Sequence, residues 1–185
     1  MSRLDIHVFG SPLLREETRP VEAITAGIRQ LADDMFETMY AAQGIGLAAP
    51  QVGRLERLAV LDVDGHRLAL INPEIVESRG AAKGEEGCLS MPDVYGDVER
   101  PTHVRVRALD IEGAQFEVDA DDLFARCLQH EIDHLHGKLF IDYLSVLRRR
   151  AALAKWATMK GQYPGGLRKV DPSTIATHHH RDEEL

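Results

Sequence analysis

The sequence lacks several features that would place it in a specialised class of protein. Its 185 residues include only two cysteines, Cys88 and Cys127, which are too few for a disulfide-stabilised secreted scaffold. No stretch approaches ~18 consecutive apolar residues, so we expect no transmembrane helix. Residues 1–17 carry charges at Arg3 and Asp5 and have no apolar core, so we expect no signal peptide. The excess of acidic over basic residues, 30 against 22, argues against broad nucleic-acid binding and allows only a local basic patch.

The features that are present indicate one globular domain of mixed secondary structure. The hydrophobic content of 44% and the charged content of 28% are typical of a folded chain of this length with a core. Apolar spacing and turn residues predict helices over 21–42, 120–137 and 145–160, and hairpins that pair 57–63 with 67–71 and 103–111 with 115–118. Because hairpins lie between the helices, without strand–helix–strand units, we expect an α+β fold with antiparallel sheets.

The strongest chemical signal is the motif HEIDH at residues 130–134, inside the helix predicted over 120–137. Residues four apart on a helix share one face, so His130 and His134 can hold one divalent metal. Glu131 would then lie beside the water on that metal. The alternative is a helix that carries two unrelated histidines, because this pattern also occurs by chance.

A catalytic site of this kind usually has a third protein ligand and one open position. Cys127 lies about 10.5 Å along the helix axis from His134, so we expect it to line a pocket wall or the core. His136 points roughly 120–160° away from the motif histidines and is expected to be solvated. Cys88, in the glycine-rich segment GEEGCLSMP, is then the favoured candidate for a third ligand, as a thiolate. The alternative is that Cys88 is a small hydrophobic residue in the core.

The segment GIGLAAPQVG, at residues 44–53, is the third unusual stretch. Its first glycines fit a dinucleotide-binding pattern, but that pattern should follow a strand and open a helix. Here it follows a predicted helix, and Pro50 would interrupt a new one. We interpret the segment as an irregular wall of a peptide-binding cleft in which Gln51 offers an amide donor. The alternative is a glycine-rich loop with Gln51 merely exposed.

Together, GIGLAAPQVG, EEGCLSMP and QHEIDHLHG, in this order and spacing, resemble the three signature motifs of the peptide deformylase family. The motifs cover about 27 residues, and with their flanking elements the likeness runs from near Leu4 to about Leu147. The resemblance implies antiparallel β-sheets around a central helix that carries HEIDH. We expect one catalytic domain over residues 1–160, which includes the helix at 145–160, and a mobile polar tail over 161–185.

The resemblance also implies an activity and a metal. Members of the family remove the N-formyl group from the initiator methionine of nascent chains and release formate. By matching positions, Cys88, His130 and His134 would bind one divalent metal ion, with a water in the fourth position. The metal is typically Fe(II) in this family, and nickel, cobalt or zinc can occupy the site.

The remaining motif positions imply roles in the reaction and in substrate binding. Glu131 would act as general base and then as general acid. The Gln51 side chain and the Leu89 backbone N–H would stabilise the oxyanion. The positions that line the substrate groove or the methionine pocket in the family are Ile45, Gly46, Glu86, Leu123 and Cys127. Tyr95 and Tyr143 depart from the pattern, because relatives often carry Arg there, and Tyr95 is expected to alter how the peptide beyond methionine is held.

Formylated nascent chains are the partner that the resemblance implies, which places the protein in the cytoplasm with no membrane or DNA partner. The helix at 145–160 carries five basic residues and no acidic one. One interpretation is a solvated face. The other is salt-sensitive docking to ribosomal RNA near the exit tunnel, where the family acts.

Two other functions would use the same motif. A generic metallopeptidase would usually have a third histidine or a distant glutamate as ligand, and the Cys88 segment argues against it. A non-catalytic module that binds formylated nascent chains would be marked by loss of Glu131, Gln51 or a metal ligand, and all of these are present.

Overall fold

The computed structural model describes residues 2–170 and combines helices with antiparallel strands. The elements are β1 (Ile6–His7), α1 (Ala26–Ala41), β2 (Gly46–Ala48), β3 (Leu58–Val63), β4 (His66–Arg79), β5 (Ala82–Glu86), β6 (Gly96–Arg100), β7 (His103–Leu109), β8 (Gln115–Asp121), α2 (Asp122–Leu135), α3 (Val146–Met159) and β9 (Leu167–Arg168). Five strands form an antiparallel sheet in the order β2-β3-β4-β7-β8, while β5 pairs with β6 and β1 with β9. The predicted α+β class with antiparallel sheets is confirmed.

Helix α1 is shorter than the span of 21–42 predicted for it. The Thr25 side chain accepts a hydrogen bond from the Ile28 N–H, which caps the helix and sets its start at Ala26. At the other end, Gln43 adopts a φ of 62°, so the chain leaves the helical path after Ala41. The buried face of α1 packs against β2 and β3 and forms one part of the core.

Both predicted hairpins are present. The turn between β3 and β4 has φ values of 51° at Asp64 and 78° at Gly65, the left-handed pair that a two-residue hairpin loop prefers. The turn between β7 and β8 contains Gly113 at a φ of 88°. A third hairpin, β5–β6, was not predicted, because the loop over 87–95 that joins its strands carries no two-residue turn signal and β5 has no apolar alternation.

Helix α2 carries the HEIDH motif and packs against the five-stranded sheet. Its predicted apolar stripe is buried and comprises Phe124, Leu128, Ile132 and Leu135. The helix contacts β2, β3, β7 and β8, so one side of it is fixed by the core and the other is free to carry side chains for chemistry. Gly137 follows its end with a φ of 67°, and a Cβ there would lie 2.5 Å from the Arg15 carbonyl oxygen, so only glycine fits.

Residues 161–170 differ from the mobile tail expected over 161–185. The Tyr163 ring stacks on Trp156 of α3 with centroids 5.6 Å apart, and β9 pairs with β1. The Val8 N–H also donates to the Gly166 carbonyl at 3.0 Å. Aromatic stacking and strand pairing therefore hold this segment against the domain. The rest of the expected tail, 171–185, lies outside the described residues.

Within the described part of the chain, no helix has both the length and the apolar character that a membrane span requires.

Candidate active site

Three side chains from distant parts of the sequence converge in a cleft. His130 and His134 project from one face of α2, with their Nε2 atoms 3.2 Å apart. Cys88, in the loop between β5 and β6, brings its Sγ to 3.3 Å from the His134 Nε2. The three possible ligand atoms all lie within 4.8 Å of one another. The structure thus brings together the three residues that the sequence predicts as metal ligands.

The geometry of this cluster fits one small metal ion. Two ligands at about 2.0–2.3 Å from a tetrahedral ion are roughly 3.3–3.7 Å apart, close to the separations observed here. The Glu86 carboxylate accepts a hydrogen bond from His130 Nδ1 at 3.0 Å, which leaves the Nε2 lone pair of His130 available to a metal. Burial lowers the pKa of His134, as does the neighbouring His130, and the neutral imidazole is the form that ligates. A thiolate with two imidazoles suits iron, nickel, cobalt or zinc better than magnesium or calcium.

Behind the cluster lies a buried network of charges centred on Glu86. Its carboxylate receives two hydrogen bonds from Arg100, at 2.6 and 2.9 Å, and one from Arg126 at 2.8 Å. Arg100 also donates to Asp133 at 2.7 Å. Burial alone would raise the pKa of Glu86, but the hydrogen bonds from Arg100 and His130 hold it well below its usual range. The network therefore keeps Glu86 ionised and fixes the His130 ring.

Glu131 lies beside the cluster and is buried, with only 4% of its surface exposed. Its Oε2 has no hydrogen-bond partner among residues 2–170. Burial raises the pKa of Glu131 to about 7; the negative charge of Glu86 adds to this shift, while His130 and Arg100 oppose it. On its other side, a Cβ added to Gly46 would come 2.3 Å from Glu131 Oε1, so the strand wall touches the carboxylate. A proton acceptor with one unused oxygen thus faces the cleft.

Two potential hydrogen-bond donors border the same space. The Gln51 Oε1 accepts from the Ala48 N–H at 2.8 Å, which fixes the orientation of the amide. Its Nε2 donates to Ser90 Oγ at 3.1 Å and points toward Cys88 Sγ at 3.5 Å. The Leu89 N–H has no acceptor anywhere in residues 2–170. Both predicted oxyanion donors therefore lie next to the metal cluster.

The cleft has a volume of about 460 Å³ and opens from this cluster to the surface. The residues that the sequence predicts for the groove or methionine pocket all line it: Ile45, Gly46, Glu86, Leu123 and Cys127. Cys127 is buried, and burial raises the pKa of its thiol, which remains outside the three-residue cluster. His136, by contrast, is exposed and pairs with Glu17 at 2.7 Å.

The two unusual tyrosines occupy different places. Tyr95 lines the cleft with half of its surface exposed, and its ring lies over Gly87. The Tyr143 ring stacks over the Arg100 guanidinium at 4.7 Å and so covers the outer side of the buried charge network. Tyr95 can therefore contact a bound ligand directly, whereas Tyr143 contacts Arg100 and Asp133 and is not among the residues that line the cleft.

Several residues that shape the site were missed by the sequence analysis. Arg100 and Arg126 hold Glu86, and Ser90 holds Gln51. Ser90 lies within a recognised motif and could have been singled out there. The two arginines lie on β6 and α2, and only the packing of these elements around Glu86 shows that they meet it.

Comparison with known families agrees with this geometry. The family model for polypeptide deformylase matches residues 3–150. The chain belongs to the peptide deformylase family. Enzymes of this family remove the N-formyl group from nascent chains and depend on a metal, and the Cys88, His130 and His134 cluster can bind one.

Individual relatives are similar over most of the chain. The peptide deformylase of Alkalilimnicola ehrlichii is 58% identical over 154 residues, which are 81% of this chain and 86% of that protein. Peptide deformylase 1 of Clostridium acetobutylicum is 52% identical and covers 78% of this chain and 97% of its own. The crystal structure of a peptide deformylase from Legionella pneumophila has a TM-score of 0.84 at 45% identity, covering 87% of this chain and 97% of that one.

Proposed function

We propose that this chain hydrolyses the N-formyl group of nascent polypeptides with a metal held by Cys88, His130 and His134. The observation that carries the proposal is the convergence of these ligand atoms beside the buried Glu131 carboxylate. When bound, the metal would lower the pKa of a water molecule and polarise the formyl carbonyl. From membership of the family we infer Fe(II) as the ion in the cell, with nickel, cobalt or zinc as substitutes, and a thiolate with two imidazoles is compatible with each of these ions.

Glu131 is proposed to move the proton. Its unpaired Oε2 accepts a proton from the attacking water and then delivers it to the amine that leaves with the peptide. Because the side chain is buried against Gly46, it stays in place during both transfers. Burial raises the pKa of Glu131, which favours the protonated form that returns the proton, while the charge of a bound metal would favour the ionised form that accepts it.

Gln51 and Leu89 are proposed to stabilise the negative charge that develops on the formyl oxygen. The Leu89 N–H is an unused donor, and the Gln51 Nε2 is held in place through Ala48 and Ser90. Each such donor contributes about 2.7–4 kcal/mol in other enzymes. A formyl carbon carries only hydrogen, so a narrow site can accept it and exclude an acetyl group.

The experiment that tests this function is formate release from an amidated formyl-Met tripeptide by nickel-loaded protein. We expect rapid release from wild type, no release from the acetyl-Met analogue, and a loss of about 10²–10⁴-fold with Glu131→Gln. Glu112→Gln, a change at an exposed glutamate, should behave like wild type. Metal analysis must show that each protein retains one ion.

Two results would contradict the proposal. Wild-type turnover by Glu131→Gln would remove the proton-transfer role. An absence of formate from wild-type protein that holds one metal ion would remove the deformylase activity. Cleavage of an internal peptide bond in its place would point to a peptidase.

Cys88→Ser tests the ligand set separately from catalysis. Replacing the thiolate by a weakly acidic hydroxyl should weaken metal binding, which dialysis against a chelator measures. Cys127→Ser removes the other thiol, which lies outside the cluster, and should retain the metal. Equal metal loss in the two variants would contradict Cys88 as a ligand.

The ribosome is proposed as a partner through α3, which places the activity in the cytoplasm. Arg148 pairs with Asp97 and Arg149 with Asp142, whereas Arg150 has no ion pair in residues 2–170. Phosphate contacts by this face would make binding salt-sensitive. Ribosome binding should fall with rising salt and with Arg150→Glu, while the control Lys83→Glu on β5 should not change it. Binding that is insensitive to salt would contradict the proposal.

A further inference from the structure

Arg168 reaches the cleft from a part of the chain that lies beyond the segment matched to the family, residues 3–150. It stands on β9, where pairing with β1 fixes the backbone. Its guanidinium approaches the Leu89 carbonyl at 3.4 Å and the Ala42 carbonyl at 3.5 Å, and the side chain lines the cleft. One cation is therefore positioned by two carbonyl groups from different segments of the chain.

The cleft wall formed by residues 42–46 leads into β2 and relates Arg168 to Glu131. Gly46 touches the Glu131 carboxylate, and Ala42 lies four residues earlier on the same wall. Arg168 approaches Ala42 on this wall and Leu89 on the neighbouring loop, and within residues 2–170 no hydrogen bond or ion pair joins it to Glu131. A peptide whose formyl end is at Glu131 and that runs along this wall would bring its later residues toward Arg168.

The charge of Arg168 is not neutralised by a carboxylate in residues 2–170. Its two contacts are long and use two of the five guanidinium N–H groups, so further donors remain. The other arginine in the cleft, Arg126, is instead held by Glu86 and three carbonyls. A partly buried guanidinium with unused donors is suited to a carboxylate, which it can bind with two parallel hydrogen bonds.

We propose that Arg168 is a specificity-determining residue that binds an acidic side chain two to four positions along the formylated peptide. The inference rests on the proposed function, because it assumes that the formyl end lies at Glu131. Glu85 and Asp93 also line the cleft, and their negative charges disfavour an acidic side chain that lies next to them. The preference is therefore positional and favours a carboxylate only where it reaches Arg168.

The test compares peptides that differ by one charge. Amidated formyl-Met-Ala-Ala-Ala is the neutral reference, and Glu or Gln replaces each alanine in turn; the amide end removes the terminal carboxylate as a second ligand for Arg168. At one position, the kcat/KM of wild type should be about fivefold higher for the Glu peptide than for the Gln peptide. The difference should arise from a lower KM, and added salt should reduce it. With Arg168→Gln this ratio should fall to about one, and Arg168→Lys should restore part of it.

Lys169→Gln is the matched control. It removes the same charge one residue later, but Lys169 pairs with Asp5 outside the cleft lining, so the Glu-to-Gln ratio should stay at the wild-type value. A ratio that is the same in wild type and Arg168→Gln would overturn the inference, as would equal loss on all peptides. If wild type releases formate from the neutral peptide but shows no preference for Glu over Gln at any position, this inference alone would be overturned. No release from it at all would overturn the proposed function as well.

Discussion

The inner end of the cleft, at Glu86 and Arg100, differs from the outer end, at Tyr95 and Arg168, in the burial and pairing of its side chains. At the inner end, the charges of Glu86 and Arg100 are almost fully buried, and each is paired with at least one opposite charge. At the outer end, Tyr95 and Ile45 are substantially exposed, and the hydrogen bonds of the Arg168 side chain within residues 2–170 go to carbonyl groups. Buried and paired groups hold one geometry, which the chemistry requires. Exposed side chains with free surface or free hydrogen-bond donors can adapt to the many peptide sequences that follow a formyl-methionine.

The largest effect should come from breaking the inner network with Arg100→Met. Removing one partner leaves Glu86 buried with less compensation, and the expected loss in the free energy of unfolding is about 3–5 kcal/mol. Since Glu86 also orients His130, metal affinity should fall by about 10–100-fold. Urea unfolding and chelator competition measure the two effects.

Arg107→Met provides the comparison with an exposed pair. Arg107 bonds to Glu117 across β7 and β8 where both side chains are largely exposed, and no measurable change in unfolding is expected. Similar urea midpoints for Arg100→Met and Arg107→Met would contradict the claim that the buried ion pair stabilises the fold more than the exposed one.

Gly46→Ala should damage the inner end without unfolding the protein. The added Cβ would lie 2.3 Å from Glu131 Oε1 and 2.9 Å from its Cγ, so the carboxylate must shift from its present position beside the cluster. We expect kcat to fall by about 10–100-fold, the scale of effect that a 1 Å misplacement produces. Formate release and thermal unfolding should be measured together. Gly161→Ala, where nothing lies within 4 Å of the added Cβ, should leave both at wild-type values.

The sequence predicts that the two histidines and Glu131 lie close together because the signals for this arrangement are local. The two histidines and Glu131 lie within about one helical turn of one another. The four-residue spacing of the histidines alone places both rings on one face of the helix. Cys88 was selected only because a two-histidine site needs another ligand and its glycine-rich segment resembles a family motif. The hairpin at Asp64 and Gly65 was also found from a two-residue signal, and its positive φ values explain the choice of residues.

The groups that support these residues could not be predicted because their contacts are non-local. Arg100 bonds to Glu86 although the register of β5 with β6 places Arg100 opposite Ala82 and Glu86 opposite Gly96, so strand pairing alone does not predict the contact. Arg168 reaches the cleft through a two-residue strand that pairs with a partner about 160 positions earlier in the chain. A polar sequence with glycine and proline predicted no such strand, so residues 161–170 were assigned to a tail.

At the outer end, Tyr95→Ala should change substrate binding only slightly. The ring lies over Gly87 on the cleft wall and is half exposed, so it offers a surface to the peptide beyond methionine but does not reach the metal ligands. We expect KM to rise by about three- to fivefold, equivalent to the loss of partial apolar burial, with kcat and metal content unchanged. Steady-state kinetics on a formyl-Met tripeptide separate the two parameters. A fall in kcat with constant KM would assign Tyr95 to the chemistry instead.

A small effect should come from Asp142→Asn, which contrasts a partly exposed carboxylate with the buried Glu86. Burial opposes ionisation of Asp142, but hydrogen bonds from Arg15 and the Leu139 N–H, with the charge of Arg149, lower its pKa. A carboxylate with a lowered folded-state pKa stabilises the fold above its ordinary value near 3.8, and this contribution is lost as pH falls through the folded-state pKa. Wild type should therefore exceed Asp142→Asn in free energy of unfolding by less than about 1 kcal/mol at pH 7, because solvent screens the pair. Urea unfolding at pH 7, 5 and 3 should show the difference closing only below pH 4, and a difference that grows on acidification would contradict the ion pair.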